Sequence, residues 1–419
     1  MEKQNNKFIF QCVNCGKKYQ ENETKYLCPE CEKTQLSNLP PKGVLKLIYD
    51  YEAIIIKNKI NIWEKLIETD FIDLLPIKNL KSMPNLKIGK TPIYKIESFN
   101  QSKLKFNLYL KDDSQNPSYS FKDRASSLVS AYAKENNIDT IIAASTGNAG
   151  SSLASICASQ KQKAIILVPS SAPVSKLSQI IMYGATLVPI KGNYDNAFDL
   201  SIKATEKFGL YNRNTAFNPL TIEGKKTVSF ELFEQLNFVI PDRIFVPVGD
   251  GVIISGVYKG FEDLFKLGII DKLPIIVAVQ ATKSDNLIRN IENEQFTVKK
   301  SNTIADSISV DIPRNFFMAK DYLQKYNGEL ISVSDKEILE ASSELSKNTG
   351  LFAEPAAAAA FAGFISYYNK KMLDKNTNNV VLLTGSGLKD INGIKDILNM
   401  PKIINPDINE LWDLINFKD

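Results

Sequence analysis

The sequence contains no histidine among its 419 residues. Histidine is the side chain whose ordinary pKa lies closest to neutral pH, and its imidazole is a common catalytic base and metal ligand. Its absence therefore excludes every Ser-His, Cys-His and His-metal mechanism. Any general base must be a lysine, aspartate, glutamate, tyrosine or cysteine side chain.

Long apolar runs and a strong net charge are also missing. No stretch of 18 consecutive apolar residues could form a membrane span, and the residues after Met1 are polar, unlike a signal peptide. We therefore expect a cytoplasmic protein without membrane contact. The charge is balanced, with 51 Lys and Arg against 47 Asp and Glu, which does not predict a nucleic-acid partner. The length predicts about two to four domains.

Cysteine is scarce, yet four of the five cysteines form one pattern: Cys12, Cys15, Cys28 and Cys31. Two CxxC pairs can supply four thiolates, which is the ligand set of a closed, structural zinc site. The spacing predicts a small zinc ribbon, with a redox dithiol or a chance pairing as the alternatives. A ribbon of this kind could also bind nucleic acid, which gives a second, non-catalytic class of function.

From about residue 105 onward, apolar runs typical of strands alternate with amphipathic segments typical of helices. This alternation predicts an α/β fold whose parallel sheets are covered by helices on both faces. The number of runs favours two doubly wound units over one. The predicted strands are Phe106–Leu110, Thr140–Ala144, Ala164–Val168, Ala185–Ile190, Ile244–Val248, Ile275–Val279 and Val380–Leu383.

Small polar residues and glycines gather where predicted strands end. A lysine in such a turn can react with an aldehyde when its amine is neutral, although a plain surface lysine is the alternative. Backbone N–H groups at a helix start can bind a carboxylate or a phosphate, although a simple capped turn is the alternative. Because the carboxyl ends of parallel strands share one edge, four such turns together describe a pyridoxal-phosphate (PLP) pocket. The turns are 116–124, 145–150, 248–256 and 383–388.

On these motifs the sequence resembles the threonine synthases, within the fold-type II (tryptophan synthase β-like) PLP enzymes, over residues 44–395. Asn116–Arg124 reads N-P-x-x-S-F-K-D-R, Glu223–Thr227 reads E-G-x-K-T, and Thr384–Asp390 reads T-G-x-G-L-K-D. The resemblance implies conversion of O-phospho-L-homoserine and water to L-threonine and phosphate. It also implies PLP as the cofactor, a small amino-acid substrate and a homodimer.

The resemblance also implies individual roles. Lys122 is implied as the catalytic lysine that forms the Schiff base with PLP. The remaining implied cofactor-binding residues are Asn148 at the phenolic oxygen, Thr384 at the pyridine nitrogen, and Gly249, Asp250, Gly251, Val252 and Ile253 around the phosphate. The implied substrate-binding residues are Ser145, Thr146 and Gly147 at the carboxylate, together with Asn193, Asn218 and Lys226.

We predict four parts along the chain. Residues 1–40 form the zinc ribbon, and residues 41–125 with 223–400 form a large PLP-binding α/β domain. Residues 126–222 form a small α/β domain, and residues 401–419 form a C-terminal tail.

The sequence departs from the family pattern at four positions. Ala149 stands where threonine synthases usually have Thr, and Asp199 aligns with a usual Arg; both family residues are expected to hold the substrate phosphate. Tyr119 replaces a usual Gly, and Ser386 a common His. Lys176, Arg213 or Lys226 could supply the missing positive charge. The alternative is a related PLP-dependent lyase or β-replacement enzyme whose substrate carries no phosphate.

Overall fold

The structure, a computed structural model, describes residues 7–36, 38–59, 61–398 and 400–416. Its strands are β1 (Phe8–Cys12), β2 (Lys18–Tyr19), β3 (Leu45–Tyr49), β4 (Ile93–Phe99), β5 (Ser102–Asp112), β6 (Thr140–Ala144), β7 (Lys163–Pro169), β8 (Thr186–Ile190), β9 (Tyr211–Asn212), β10 (Arg243–Pro247), β11 (Ile275–Ala281), β12 (Glu329–Val333) and β13 (Asn378–Leu383).

The helices cover the sheets and occupy most of the segments between strands. They are α1 (Pro29–Glu32), α2 (Tyr51–Lys57), α3 (Ile62–Glu68), α4 (Lys122–Glu135), α5 (Asn148–Gln160), α6 (Val174–Met182), α7 (Tyr194–Phe208), α8 (Leu220–Lys225), α9 (Thr227–Gln235), α10 (Val252–Lys266), α11 (Phe316–Lys325), α12 (Asp335–Thr349), α13 (Pro355–Asn369) and α14 (Ile408–Asn416). None of the described helices is both long and apolar enough to cross a membrane.

Two α/β sheets form the body of the molecule. The larger sheet has the order β12-β11-β10-β13-β5-β4, and the smaller has the order β8-β7-β6-β9. Every neighbouring pair is parallel except β4 and β5, which are antiparallel. The fold is therefore the expected α/β architecture with two sheets, and the antiparallel edge strand β4 is the one departure from all-parallel pairing.

Helices cover both faces of the larger sheet. Successive residues of a strand point to opposite faces, so neighbouring residues pack against different helices. Ile244 and Val246 of β10 pack in the core that contains α10. Phe245 lies between them in the sequence and packs in the separate core that contains the alanines of α13. The alanine-rich sequence of α13 thus brings this helix close to the sheet, and Pro355 is its first residue.

All seven predicted strands are present, with ends displaced by a few residues at most sites. Between residues 44 and 100, where no strand was predicted, the structure adds β3 and β4. It also adds the short β9 and the edge strand β12. Polar residues interrupt the sequences of these four strands, so a search for continuous apolar runs does not find them.

The N-terminal sheet has the order β2-β1-β3 and is antiparallel. Strand β3 pairs with β1 along its whole length, so this sheet crosses the predicted boundary at residue 40. The strands of the smaller sheet all fall within 126–222, and those of the larger sheet fall within 41–125 and 223–400. The division into domains stays a prediction.

Candidate active site

A cavity of about 360 Å³ lies where the carboxyl ends of β6 and β10 face each other. Its lining comes from the ends of strands in both α/β sheets. Ser145–Ala149 follow β6 of the smaller sheet, and Val248–Ile254 follow β10 of the larger sheet. Lys122 at the start of α4 also lines the cavity, as does Lys225 at the end of α8. Three of the four predicted turns therefore contribute to one cavity, but they belong to two sheets and not to one sheet edge, and no residue of 383–388 is in the lining.

The loop before Lys122 is fixed by the end of β13. The backbone N–H of Phe121 donates to the Thr384 carbonyl at 2.9 Å, and that of Ser386 donates to the Tyr119 carbonyl at 3.1 Å. Within the loop, the Asp123 carboxylate accepts from the Ser118 N–H at 2.7 Å. These bonds hold Lys122 at the first residue of α4, with its side chain on the cavity.

Lys122 has the electrostatic setting of a reactive amine. Burial lowers the pKa of its ammonium, and the nearby Arg213 guanidinium lowers this pKa further, while Glu354 and Asp250 oppose the shift. A lowered pKa increases the neutral fraction of the amine at neutral pH. Only the neutral amine has the lone pair that attacks a carbonyl or accepts a proton.

The turn between β10 and α10 forms a close-fitting cradle. Gly251 adopts a φ of +83°, which favours glycine. A Cβ at Gly249 would come within 2.9 Å of the Ile308 Cα, so a side chain there would force a shift. Asp250 Oδ1 accepts from the Arg314 backbone N–H at 3.1 Å. The helix start and the two glycines fit the phosphate of PLP.

Asn148 begins α5 and contacts a buried acid that the sequence analysis did not assign to the site. Its Nδ2 donates to Glu354 Oε1 at 2.9 Å and Oε2 at 3.0 Å. Burial raises the pKa of Glu354, while the Asn148 hydrogen bond and the Lys122 charge lower it. Glu354 and Asn148 are 206 positions apart in the sequence, so no local pattern indicates their contact.

The remaining predicted residues fall into two groups. Ser145, Thr146 and Gly147 line the cavity. Thr384 is buried, and its carbonyl accepts the hydrogen bond from Phe121 in the loop before Lys122. Three other predicted substrate-binding residues have their polar groups engaged elsewhere: Asn193, Asn218 and Lys226.

Those three side chains have structural partners and are absent from the cavity lining. Asn193 Oδ1 accepts from the Asn196 N–H at 3.0 Å and caps α7. Asn218 Nδ2 donates to the Asn212 carbonyl at 2.8 Å. Lys226 is fully buried, and its ammonium pairs with Glu223 at 2.5 Å and Asp263 at 2.7 Å. Two carboxylates already compensate this ammonium charge, so it is unsuited to a substrate anion.

The four departures from the family pattern have clear places. Ala149 lines the cavity, whereas Asp199 is exposed on α7 and outside the lining. Tyr119 adopts a φ of +65°, the left-handed conformation in which the usual glycine would be unstrained. Ser386 accepts from the Leu388 N–H and caps a short turn.

The four N-terminal cysteines lie together at one end of the N-terminal sheet, where β1 ends at Cys12. Their sulfur atoms all lie within 4.8 Å of one another. The Sγ atoms of Cys12 and Cys31 are 3.7 Å apart, as are those of Cys15 and Cys28. Four sulfurs at zinc–sulfur bond length in a tetrahedron lie about 3.8 Å apart, so the cluster is compatible with zinc.

Comparison with known proteins agrees with this geometry. Residues 85–385 match the family described as pyridoxal-phosphate dependent enzyme. The chain is 34% identical to a threonine synthase of Methanocaldococcus jannaschii, covering 96% of this chain and 98% of that protein. It is 32% identical to a threonine synthase of Methanosarcina acetivorans, covering 97% and 98%.

A solved structure supports the fold alone. The processed form of threonine deaminase isoform 2 from Solanum lycopersicum superposes with a TM-score of 0.63 at 21% identity. The match covers 85% of this chain and 88% of that one.

Proposed function

Because the chain belongs to the threonine synthase family of pyridoxal-phosphate-dependent enzymes, we propose that it converts O-phospho-L-homoserine and water to L-threonine and phosphate. The observation that carries the proposal is the position of Lys122. Its amine, with a lowered pKa, faces a cavity bounded by the helix starts of α5 and α10. The 34% identity to a threonine synthase along nearly the whole chain supports this reaction over the others of PLP enzymes.

We propose that the residues around this cavity hold the cofactor. Lys122 would bind its aldehyde carbon, and the backbone of Gly249, Asp250, Gly251, Val252 and Ile253 would hold its phosphate. Asn148 would contact the phenolic oxygen, and Thr384 the pyridine nitrogen. PLP, when bound, supplies the electron sink that stabilises negative charge at substrate carbons. A neutral hydroxyl at the ring nitrogen, unlike a carboxylate, does not favour its protonation, which suits elimination and replacement over transamination.

The start of α5 is the proposed site for the substrate carboxylate. Ser145, Thr146 and Gly147 precede its first residue, Asn148, and all four line the cavity. Free backbone N–H groups and the helix dipole favour an anion there. A carboxylate fixed at this end would orient the substrate Cα toward the Lys122 amine.

Lys122 is the proposed proton carrier of the reaction. The Lys122 amine would accept and return the protons that move at the substrate Cα and Cβ. In the net reaction, phosphate would leave from Cγ and water would add at Cβ. No step requires histidine, in agreement with the composition.

A second candidate is a related lyase or β-replacement enzyme with a substrate that carries no phosphate. Two observations favour it: the cavity has the apolar Ala149 in place of a hydroxyl, and Asp199 offers no positive charge. Phosphate release from O-phospho-L-homoserine separates the two candidates, because only the first produces it.

The test of the proposed function uses PLP-loaded protein. Borohydride should bleach the visible absorbance of the bound cofactor. The reduced cofactor should then be found attached to the peptide that contains Lys122. The same preparation should release phosphate from O-phospho-L-homoserine. Attachment to another lysine would refute the role of Lys122, and an intact cofactor absorbance without phosphate release would favour the second candidate.

We also propose that Cys12, Cys15, Cys28 and Cys31 hold a structural zinc ion, and that the protein is a homodimer. Four thiolates leave no open coordination position, so the proposed metal has no direct part in the reaction. Metal analysis should find one zinc per chain, and Cys15→Ser should abolish this stoichiometry without removing the cofactor.

A further inference from the structure

Two buried cations beside the cavity lack a carboxylate partner. Arg213 and Lys225 are both almost completely buried, with exposed fractions of 1% and 0%. Among the described residues, neither forms an ion pair with a carboxylate within 4.0 Å. Burying a charged group without a counterion is costly, and an anion bound beside Arg213 and Lys225 would reduce that cost.

Arg213 lies directly behind the cavity surface. Its Nη1 donates to the Thr215 hydroxyl at 3.3 Å, and its Nε donates to the Ser126 hydroxyl at 3.1 Å. Its Nη2 is buried and has no hydrogen-bond partner in the described part of the chain. Thr215 lines the cavity, and because its oxygen accepts from Arg213, its own hydrogen is available to an oxygen within the cavity.

Lys225 lines the same cavity from the end of α8. Its Nζ donates to the Thr221 carbonyl at 3.2 Å. Burial lowers its pKa well below the usual range, and the charges of Arg213 and Lys122 lower it further. Burial likewise lowers the pKa of Arg213, to about 10. These shifts show that the three cations repel one another across one small region, which an anion would relieve.

The other candidate cations are already compensated. Lys176 pairs with Asp306 at 2.7 Å, and Lys226 with Glu223 and Asp263. Arg314 lines the cavity, but its guanidinium pairs with Asp195 at 2.5 Å and lies over the Phe198 ring. Besides Lys122, which is assigned to the cofactor aldehyde, Arg213 and Lys225 are the described cations at this cavity that form no such ion pair.

We propose that Arg213 and Lys225, together with the Thr215 hydroxyl, form the subsite for the substrate's phosphate monoester. They would replace the hydroxyl and the guanidinium that Ala149 and Asp199 do not provide. This inference rests on the proposed function, because it assigns a place to the phosphate of O-phospho-L-homoserine. A dianion is matched by two cations, whereas a neutral substrate side chain would leave both uncompensated.

Inorganic phosphate is a probe for this subsite that requires no turnover. We expect calorimetry to show phosphate binding to the PLP-loaded enzyme, whose cofactor-phosphate site is already filled. Arg213→Gln should weaken this binding at least about tenfold, since a charge-assisted hydrogen bond is lost. Arg213→Lys should restore part of it. Arg243→Gln is the matched control, because Arg243 pairs with Glu329 at the opposite end of β10.

Lys225→Met tests the second cation separately. We expect weaker phosphate binding with the cofactor's visible absorbance unchanged. Loss of the cofactor with unchanged phosphate binding would instead assign Lys225 to the cofactor's phosphate and overturn its place in the subsite. Unchanged phosphate binding in Arg213→Gln, or no binding to the unsubstituted enzyme, would overturn the subsite itself.

Turnover of O-phospho-L-homoserine distinguishes this inference from the proposed function. If threonine forms and Arg213→Gln leaves KM unchanged, the subsite is wrong and the function stands. If phosphate binds through Arg213 but no threonine forms, the subsite stands and the proposed function is wrong.

Discussion

At the scale of single residues, the chemistry depends on the protonation of the side chains around the cavity, which burial and neighbouring charges determine. Lys122 has a lowered pKa because it is buried and faces Arg213. Glu354 has a raised pKa because it is buried, although its hydrogen bond from Asn148 and the charge of Lys122 oppose this shift. Burial thus favours the neutral form of both side chains.

Replacing Lys122 by alanine tests the assignment of the reactive amine. Lys122→Ala should lose turnover and the visible absorbance of lysine-linked cofactor, because no other amine takes its place at the start of α4. Absorption spectra and phosphate release are the measurements, with Lys134→Ala, near the end of the same helix, as the control. Surviving turnover in Lys122→Ala would show that the reactive lysine is elsewhere.

At the scale of helices and strands, close contacts between three helices bring Lys225 to the cavity. A Cβ at Gly224 would lie 2.1 Å from the Arg124 carbonyl oxygen of α4, and one at Gly256 would lie 2.6 Å from the Lys225 Cβ. Glycine at these two positions therefore lets α8 pass between α4 and α10. The Lys122 helix and the Lys225 helix are held against each other by this contact.

Enlarging one glycine tests this packing. Gly224→Ala should lower the free energy of unfolding by about 3 kcal/mol, because the backbone of α4 must move to admit the methyl group. Gly209→Ala is the control. Gly209 has a positive φ of 67° but open space around it, so only a conformational cost of about 1 kcal/mol is expected. Urea unfolding gives both values, and equal losses would contradict the packing.

Local sequence patterns predicted the elements and turns of this fold better than its long-range partners. The strand Thr140–Ala144 and the glycines after β10 were predictable, since continuous apolar runs and glycine turns depend on neighbouring residues. The Asn148–Glu354 contact and the location of Lys225 were not, because distant segments create them. Lys226 shows the same limit: its motif predicted substrate binding, but Asp263, 37 residues away, engages its ammonium.

At the scale of the whole molecule, buried ion pairs join the parts of the chain. Arg124, two residues after Lys122, pairs with Asp113 and Glu231, and Glu231 also pairs with Lys111. In the N-terminal sheet, the Tyr49 hydroxyl donates to Glu223 at 2.8 Å. The body of the enzyme therefore depends on charges that change when carboxylates are protonated.

The stability of the protein should fall in acid partly through Glu231. Burial alone would raise its pKa, but Arg124 and Lys111 outweigh burial and lower the pKa from 4.5 to about 2. Since the folded-state pKa is the lower one, this stabilisation is present above pH 4.5 and is lost as the pH falls toward 2. At neutral pH, Glu231→Gln should unfold at a lower temperature than the unsubstituted protein. Its unfolding temperature should also change less between pH 4.5 and pH 2. An equal acid dependence in both proteins would contradict the assignment.

Removing zinc should weaken the ribbon and its contact with the smaller sheet while leaving the cofactor in place. Tyr26 of the ribbon stacks on Phe217 at 4.5 Å, and its hydroxyl oxygen accepts from the Asn212 N–H at 2.9 Å. No such contact reaches the glycine turn after β10 among the described ring contacts. A chelator should lower the unfolding temperature with the cofactor absorbance unchanged, and added zinc should reverse the loss. Disappearance of the absorbance would show that the ribbon and the cofactor site are coupled.

The most direct test of the proposed reaction is to give PLP-loaded enzyme O-phospho-L-homoserine and to measure L-threonine and phosphate in the same samples. We predict equal amounts of the two products at every time point, and neither product from Lys122→Ala. An intact cofactor absorbance with no phosphate would contradict the proposed function, as would phosphate released without an equal amount of threonine.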